Sequence, residues 1–527
     1  MPDASPRKAS QLWLYLFCGI LAEVLLVIAG LSLPEDSAAA IHLRNFFLIV
    51  HYPLFYLVEA LRLEDLFPEM LLLVLLGLVM GIVWAFILYW FLSFFRWFRS
   101  RFLKSQKRRA IAGVAIFLIG MSLIAQIALN TVLAIPRPFT KTPEVEALVQ
   151  SNTAFAIDLY KKLADRPGNL FFSPFGISTS LAMTSSGARG QTADEMAKTL
   201  HLDLAGNKIA PAYKNLIERI NRLQRWNRIS LLMANGLWCD KSQQLLNPFL
   251  DVVHNDYEAE ASQLDFKDAS RAAQEINDWV TRKTDGKISS AVEAAQFDPA
   301  LKLILADAVY FKGKWLHQFK TGDTKPAPFM VSTNLTVTVP MMWQKSDFKT
   351  THSEDGLVEL LELPYLGQDL SMVILLPAET AESLGSGQYD LAGLEQNLTP
   401  DNLRVWLKKL DETTTDKTLV WLPRFTTTQE LNLTDTLKSM GLVSAFDRTS
   451  DFSGMDGMED LYLSDVLHKT FVKVDEAGTE AAAITLELAK ASSMSECFNA
   501  NHPFLYLIRD NGSGSILFMG RMIDPTK

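Results

Sequence analysis

Cysteine is scarce: 527 residues hold only three, Cys18, Cys239 and Cys497. Thiols so few and so scattered form neither a disulfide framework nor a zinc site, so the fold must rest on an apolar core and no metal is expected. Enzymatic signatures are missing as well. The chain contains no G-x-S-x-G elbow, no H-E-x-x-H pair, no P-loop and no Rossmann glycine pattern. Its eight histidines fall in no spacing that supports a catalytic group, so neither an enzyme nor a cofactor is expected. The larger, C-terminal part also lacks a basic excess. Residues 144–527 carry 37 Lys+Arg against 51 Asp+Glu, which argues against a nucleic-acid partner because phosphate binding needs clustered cations.

The first 143 residues are of another kind, with 13 Lys+Arg against 8 Asp+Glu and three long apolar runs. Residues 11–33, 70–95 and 111–135 are each long enough to cross a hydrocarbon layer of roughly 30 Å. Only the first holds a charge, Glu23. A cleaved signal peptide is the rival reading of 11–33, but the run is longer than a usual h-region and no small-residue cleavage pattern follows it. Arg96, Arg99, Arg101, Lys104, Lys107, Arg108 and Arg109 fill the loop 96–109 without a single acid. By the positive-inside rule this loop and the N-terminus are cytoplasmic, and everything after residue 135 emerges on the other side. Pro136, Pro138 and Pro143 stiffen a linker at 136–143. The expectation is an integral, multi-pass membrane protein, with the lipid bilayer as a partner and an extracytoplasmic domain (extracellular or periplasmic) at 144–527.

That domain shows no internal linker or repeat. Helical spacing is clear at 144–164 and 270–284, and strand-like runs occur at 229–239, 303–311, 371–377 and 418–425. Helices first and strands later predict an α+β fold. From Glu476 to Ser495 the chain is rich in Gly, Ala, Thr and Ser and free of proline. Such a stretch is too small to anchor a core, yet it can become a strand. Gly478 permits a bend. Thr479, Ala481, Ala483 and Thr485 alternate at period two, a row of small side chains able to slide between existing strands. Glu487 shares their parity, so it would face the sheet interior after such an insertion, where an unpaired carboxylate is costly.

Four long segments carry a family resemblance: NLFFSPFGISTSLAMTSSGARGQTADEM (169–196), ADAVYFKGKWLHQF (306–319), LHKTFVKVDEAGTEAAAIT (467–485) and HPFLYLIRDNGSGSILFMGRMIDP (502–525). In this order they resemble the serpin family of serine protease inhibitors over essentially all of 144–527. The resemblance implies a serpin-like fold of three β-sheets and about nine helices, metastable, with an exposed reactive loop. It implies suicide inhibition, in which a serine protease forms an acyl-enzyme with the loop and the cleaved loop enters the main sheet as an extra strand. The family's spacing, counted from Glu476 and back from Pro503, places the reactive bond at Ser492–Ser493, with Lys490, Ala491 and Met494 as alternatives. It assigns a hinge to Glu476, Gly478, Thr479, Glu480, Ala481, Ala482, Ala483 and Thr485. It assigns a shutter to Ser173, Asp307 and His468, where Gly176 and Asp307 stand in place of the family's second serine and its asparagine. Trp315, Arg424 and Glu476 fit the breach, where the loop would enter. Small residues before the bond imply an elastase-like or subtilisin-like partner, and Lys490 would suit a trypsin-like one. Two rival readings remain: a non-inhibitory serpin-fold binding module or chaperone, and a membrane sensor or transporter with a serpin-like outer domain.

Overall fold

Several helices begin where the sequence supplies a cap. Thr142 accepts a hydrogen bond from the Val145 N–H (3.3 Å) and Pro143 follows at the first helical position, starting α1 (Pro143–Leu163). Ser173 and Pro174 repeat the device at α2 (Pro174–Ser185), as do Thr399 and Pro400 at the helix Pro400–Glu412. The computed structural model describes residues 141–224, 229–298, 300–378, 389–478 and 497–527. These fall within one compact unit, Phe139–Lys527.

The described residues form ten α-helices, against about nine expected, and fourteen strands. The strands are β1 (Leu170–Phe172), β2 (Ile229–Asp240), β3 (Glu260–Leu264), β4 (Leu303–Gly313), β5 (Lys325–Ser332), β6 (Leu335–His352), β7 (Val358–Pro364), β8 (Leu370–Pro377), β9 (Asp416–Pro423), β10 (Phe425–Asn432), β11 (Leu463–Val474), β12 (Cys497–Asn499), β13 (Phe504–Asp510) and β14 (Ile516–Met522). The fold is α+β. Three sheets were expected, and hydrogen bonding among the described residues gives two. The reason is β6, whose 18 residues pair with β5 and β9 along most of their length and with β7 at Lys349–His352, joining what would be two sheets into one of nine strands. The strand-like run at 418–425 also divides. Pro423 ends β9, the Arg424 N–H turns to the Pro340 carbonyl, and β10 starts at Phe425.

The second sheet positions the site. Its order is β10-β11-β4-β2-β3, and its centre is a parallel pair, β4 with β11, which begins with Leu463 opposite Leu303, shifts by one residue before Asp465, and then keeps register from Asp465 opposite Ile304 to Phe471 opposite Tyr310. Every β4 residue except Lys312 is buried, because the strand is covered on both faces. On one face lies α2, with no charged residue and with the Thr179 and Thr184 hydroxyls satisfied by the Phe175 and Ser180 carbonyls. On the other the helix Ala269–Lys283 lays Ile276 and Trp279 over Ala306, Ala308 and Tyr310, and Trp279 meets Trp238 edge to face at 4.9 Å.

The expected spans 11–33, 70–95 and 111–135, the basic loop 96–109 and most of the linker 136–143 lie outside the described residues. Among the described residues no helix is long and apolar enough to cross a membrane. Even the 21-residue α1 carries Glu144 and Glu146 in its first turn and Lys161 and Lys162 in its last. The expectation of an integral, multi-pass membrane protein with an extracytoplasmic domain, a cytoplasmic N-terminus and a bilayer partner is corrected by the relatives described below.

Candidate functional site

Two groups of side chains sit along the seam between β4 and β11. Midway, Asp307 on β4 lies opposite His468 on β11, and both are buried, at 3% and 2% exposure. His468 Nδ1 is 2.7 Å from Asp307 Oδ2, while the Ser173 N–H donates to His468 Nε2 (3.0 Å). An acceptor at Nε2 leaves the proton on Nδ1, so the neutral imidazole donates to the carboxylate. The Ser173 hydroxyl donates to the Leu517 carbonyl and accepts from the Gly176 N–H, tying α2 to β14 at the same point. Gly176 has a steric reason. A Cβ there would meet Asp307 Oδ2 at 2.7 Å and Oδ1 at 2.8 Å, so the carboxylate occupies the space a side chain would need. Burial pushes the Asp307 carboxyl up, and the neighbouring His468 pulls it back without cancelling the effect.

Above Tyr310 and Phe471 the two strands stop pairing, and the chain leaving β11 turns into the gap. Asp475 and Gly478 exchange backbone hydrogen bonds (2.8 and 3.2 Å), closing a two-residue hairpin over Glu476 and Ala477. Gly478, at φ +140°, then pairs with Lys314 in the antiparallel sense. The Ala477 and Glu476 carbonyls accept from the Trp315 and Phe319 N–H groups at 3.0 and 2.8 Å. The Trp315 indole N–H donates to the Asp475 carbonyl (3.0 Å), and its ring stacks on Tyr365 at 4.6 Å. Glu476 accepts from the Thr324 hydroxyl (2.7 Å) and faces Arg424 at 3.4 Å.

The structure thus brings together Ser173, Asp307 and His468, and separately Trp315, Arg424 and Glu476, with Gly478 beside the second group. Thr479, Glu480, Ala481, Ala482, Ala483 and Thr485, the bond Ser492–Ser493 and the alternatives Lys490, Ala491 and Met494 lie outside the described residues. Sequence reasoning missed Thr324 and Tyr365. Thr324 is 152 residues from Glu476, and no local pattern marks it.

The sequence pattern of the family described as Serpin (serine protease inhibitor) matches residues 150–525. The chain belongs to the serpin family. It is 40% identical over 386 residues to the leukocyte elastase inhibitor of Bos taurus and 39% identical over 390 residues to that of Homo sapiens; each alignment covers 72% of this chain and 100% of the relative. Among solved structures it is similar to maspin, with a TM-score of 0.65 and 31% identity over 73% of this chain and 100% of that one. This serpin therefore stands among protease inhibitors rather than enzymes. The whole length of each elastase inhibitor is matched from within 72% of this chain, and this likeness to elastase inhibitors is the finding that corrects the multi-pass membrane localisation expected from the sequence.

Proposed function

We propose that this serpin inhibits a serine protease by trapping it as a covalent acyl-enzyme. The observation that carries the reading is the gap above Tyr310 and Phe471 with the Asp475–Gly478 hairpin turned into it. A strand continuing from Gly478 would run antiparallel to both β11 and β4, replacing one parallel contact with two antiparallel ones, which are the more stable kind. The bridge from Gly478 to Lys314 is the first rung of that strand.

In the proposed sequence the protease serine attacks the carbonyl of Ser492. Collapse of the tetrahedral intermediate expels the amine of Ser493 and leaves an ester between protease and inhibitor. The freed segment from Thr479 onward then enters the seam. About fifteen residues at roughly 3.3 Å each would carry the protease about 50 Å before water reaches the ester. Ala489, Ala491 and Ser492 suit a shallow primary pocket, and the leukocyte elastase inhibitors among the relatives support an elastase-like target.

The test is incubation of the full-length protein with elastase-like, subtilisin-like and trypsin-like proteases, followed by denaturing electrophoresis and mass spectrometry. A band with the mass of the protease plus residues 1–492 is expected, with the released peptide starting at Ser493. A second reading, a non-inhibitory binding protein, rests on Glu487, whose parity sets a carboxylate against the sheet interior. Cleavage without any covalent band across the panel selects it.

A further inference from the structure

We infer that Asp307 is a positioning residue for strand entry, a proton-dependent latch that holds β4 to β11 while ionised and loosens the seam when protonated. This deepens the reading above and rests on it, since the latch matters only if a strand enters between β4 and β11.

The side-chain link spans the seam itself. Asp307 belongs to β4 and His468 to β11, and the 2.7 Å hydrogen bond between them crosses the line along which the sheet must part. The Ser173 N–H holds His468 as a neutral donor, so no cation balances the carboxylate. Asp307 Oδ1 has no hydrogen-bond partner among the described residues. The ionised carboxylate thus depends on a single charge-assisted bond, and bonds of that kind are about twice as strong as neutral ones. Gly176 keeps the carboxylate where it is, because any Cβ would displace it.

The surroundings add no competing charge. The α2 helix contributes Ser173 and Gly176 and carries no charged residue, β2 places Asn235 opposite Asp307, and β10 places Leu431 opposite His468. The β14 strand offers the Leu517 carbonyl; its Arg521 is bound to Glu395 and to the Gly168 carbonyl. The titratable group acting on Asp307 is His468, through the hydrogen bond it donates.

Entry of a strand sets β4 and β11 two strand spacings apart, about 10 Å, beyond hydrogen-bond reach. An ionised Asp307 then loses its donor inside the sheet, while a protonated one loses much less. Ionisation is therefore harder in the opened seam than in the closed one, opening takes up a proton, and insertion becomes easier as pH falls.

The experiment measures uptake of a blocked synthetic peptide by the uncleaved full-length protein between about pH 5 and pH 8. The peptide has the sequence of residues 479–491 with Glu480→Gln and Glu487→Gln, so the entering strand has no carboxylate to titrate. Uptake is expected to be roughly tenfold faster at the acid end, the equivalent of losing about one hydrogen bond's contribution. In Asp307→Asn, which keeps His468 and a neutral acceptor for it, the rate should be fast and flat with pH. A flat profile in the unaltered protein overturns the latch, whatever the variant does. An unchanged pH slope in Asp307→Asn also overturns it, assigning the proton elsewhere. No uptake at any pH overturns both the latch and the strand-entry reading.

Discussion

Replacing Gly478 by alanine tests the mouth of the sheet directly. Its φ of +140° is strained for any residue with a side chain, and the added Cβ would lie 2.1 Å from the Gly313 carbonyl oxygen, 2.6 Å from Lys314 Cα and 2.7 Å from Trp315 N. All three are backbone atoms of the strand end and cannot swing aside as a flexible side chain would. Gly478 must therefore move out, with loss of its bridge to Lys314 and of the bond from the Trp315 N–H to the Ala477 carbonyl. Backbone strain of about 1–3 kcal/mol if the residue stays, or about 1 kcal/mol for each hydrogen bond lost if it moves, places the cost at about 2 kcal/mol. For a domain of this size that lowers Tm by roughly 2–3 °C. Calorimetry reads the stability. Titration against an elastase-like protease reads the function, where losing the first rung should slow insertion relative to deacylation and raise the number of inhibitor molecules consumed per protease trapped. A Tm within a degree of the unaltered protein, with an unchanged titration endpoint, would refute the assignment of this hairpin to the entry of the strand.

Three further outcomes follow. Thr479→Arg should turn the inhibitor into a substrate, because a long cation at the first inward position cannot pass between β4 and β11; gel analysis should show cleaved protein without a covalent band. Glu487→Leu should raise the thermal stability of the loop-cleaved form by a few kcal/mol at neutral pH and leave the uncleaved form nearly unchanged, as differential scanning of the two forms would show. His502 is buried with Nε2 3.0 Å from the Pro377 carbonyl, and burial pulls its imidazole down to about 4. Since the unfolded chain takes up that proton first, the stability present above about pH 6.5 should be lost as pH falls towards 4, by at most about 3 kcal/mol. Urea midpoints at pH 7 and pH 4.5 should converge in His502→Gln, whose amide keeps a donor for Pro377.

Much of the fold is local chemistry and could be read along the chain. The Thr142–Pro143 pair announces α1, and the apolar run at 303–311 announces β4, because caps and side-chain periods act within a few residues. The small, proline-free composition from Gly478 to Thr485, with its period-two alternation, is likewise a property of the sequence alone. Ser173, Asp307 and His468 were legible as a group only through the family motifs that contain them. Their consequence was not. That Gly176 must lack a side chain because Asp307 fills its space, and that Asp307 rests on one donor, depend on which strands lie side by side, and β4 and β11 are about 160 residues apart in the chain. The Thr324 bond to Glu476 and the passage of β6 from one set of strands to another belong to the same class. Periodicity tells a strand which face is buried but not which strand will be its neighbour; the topology of the whole domain decides that.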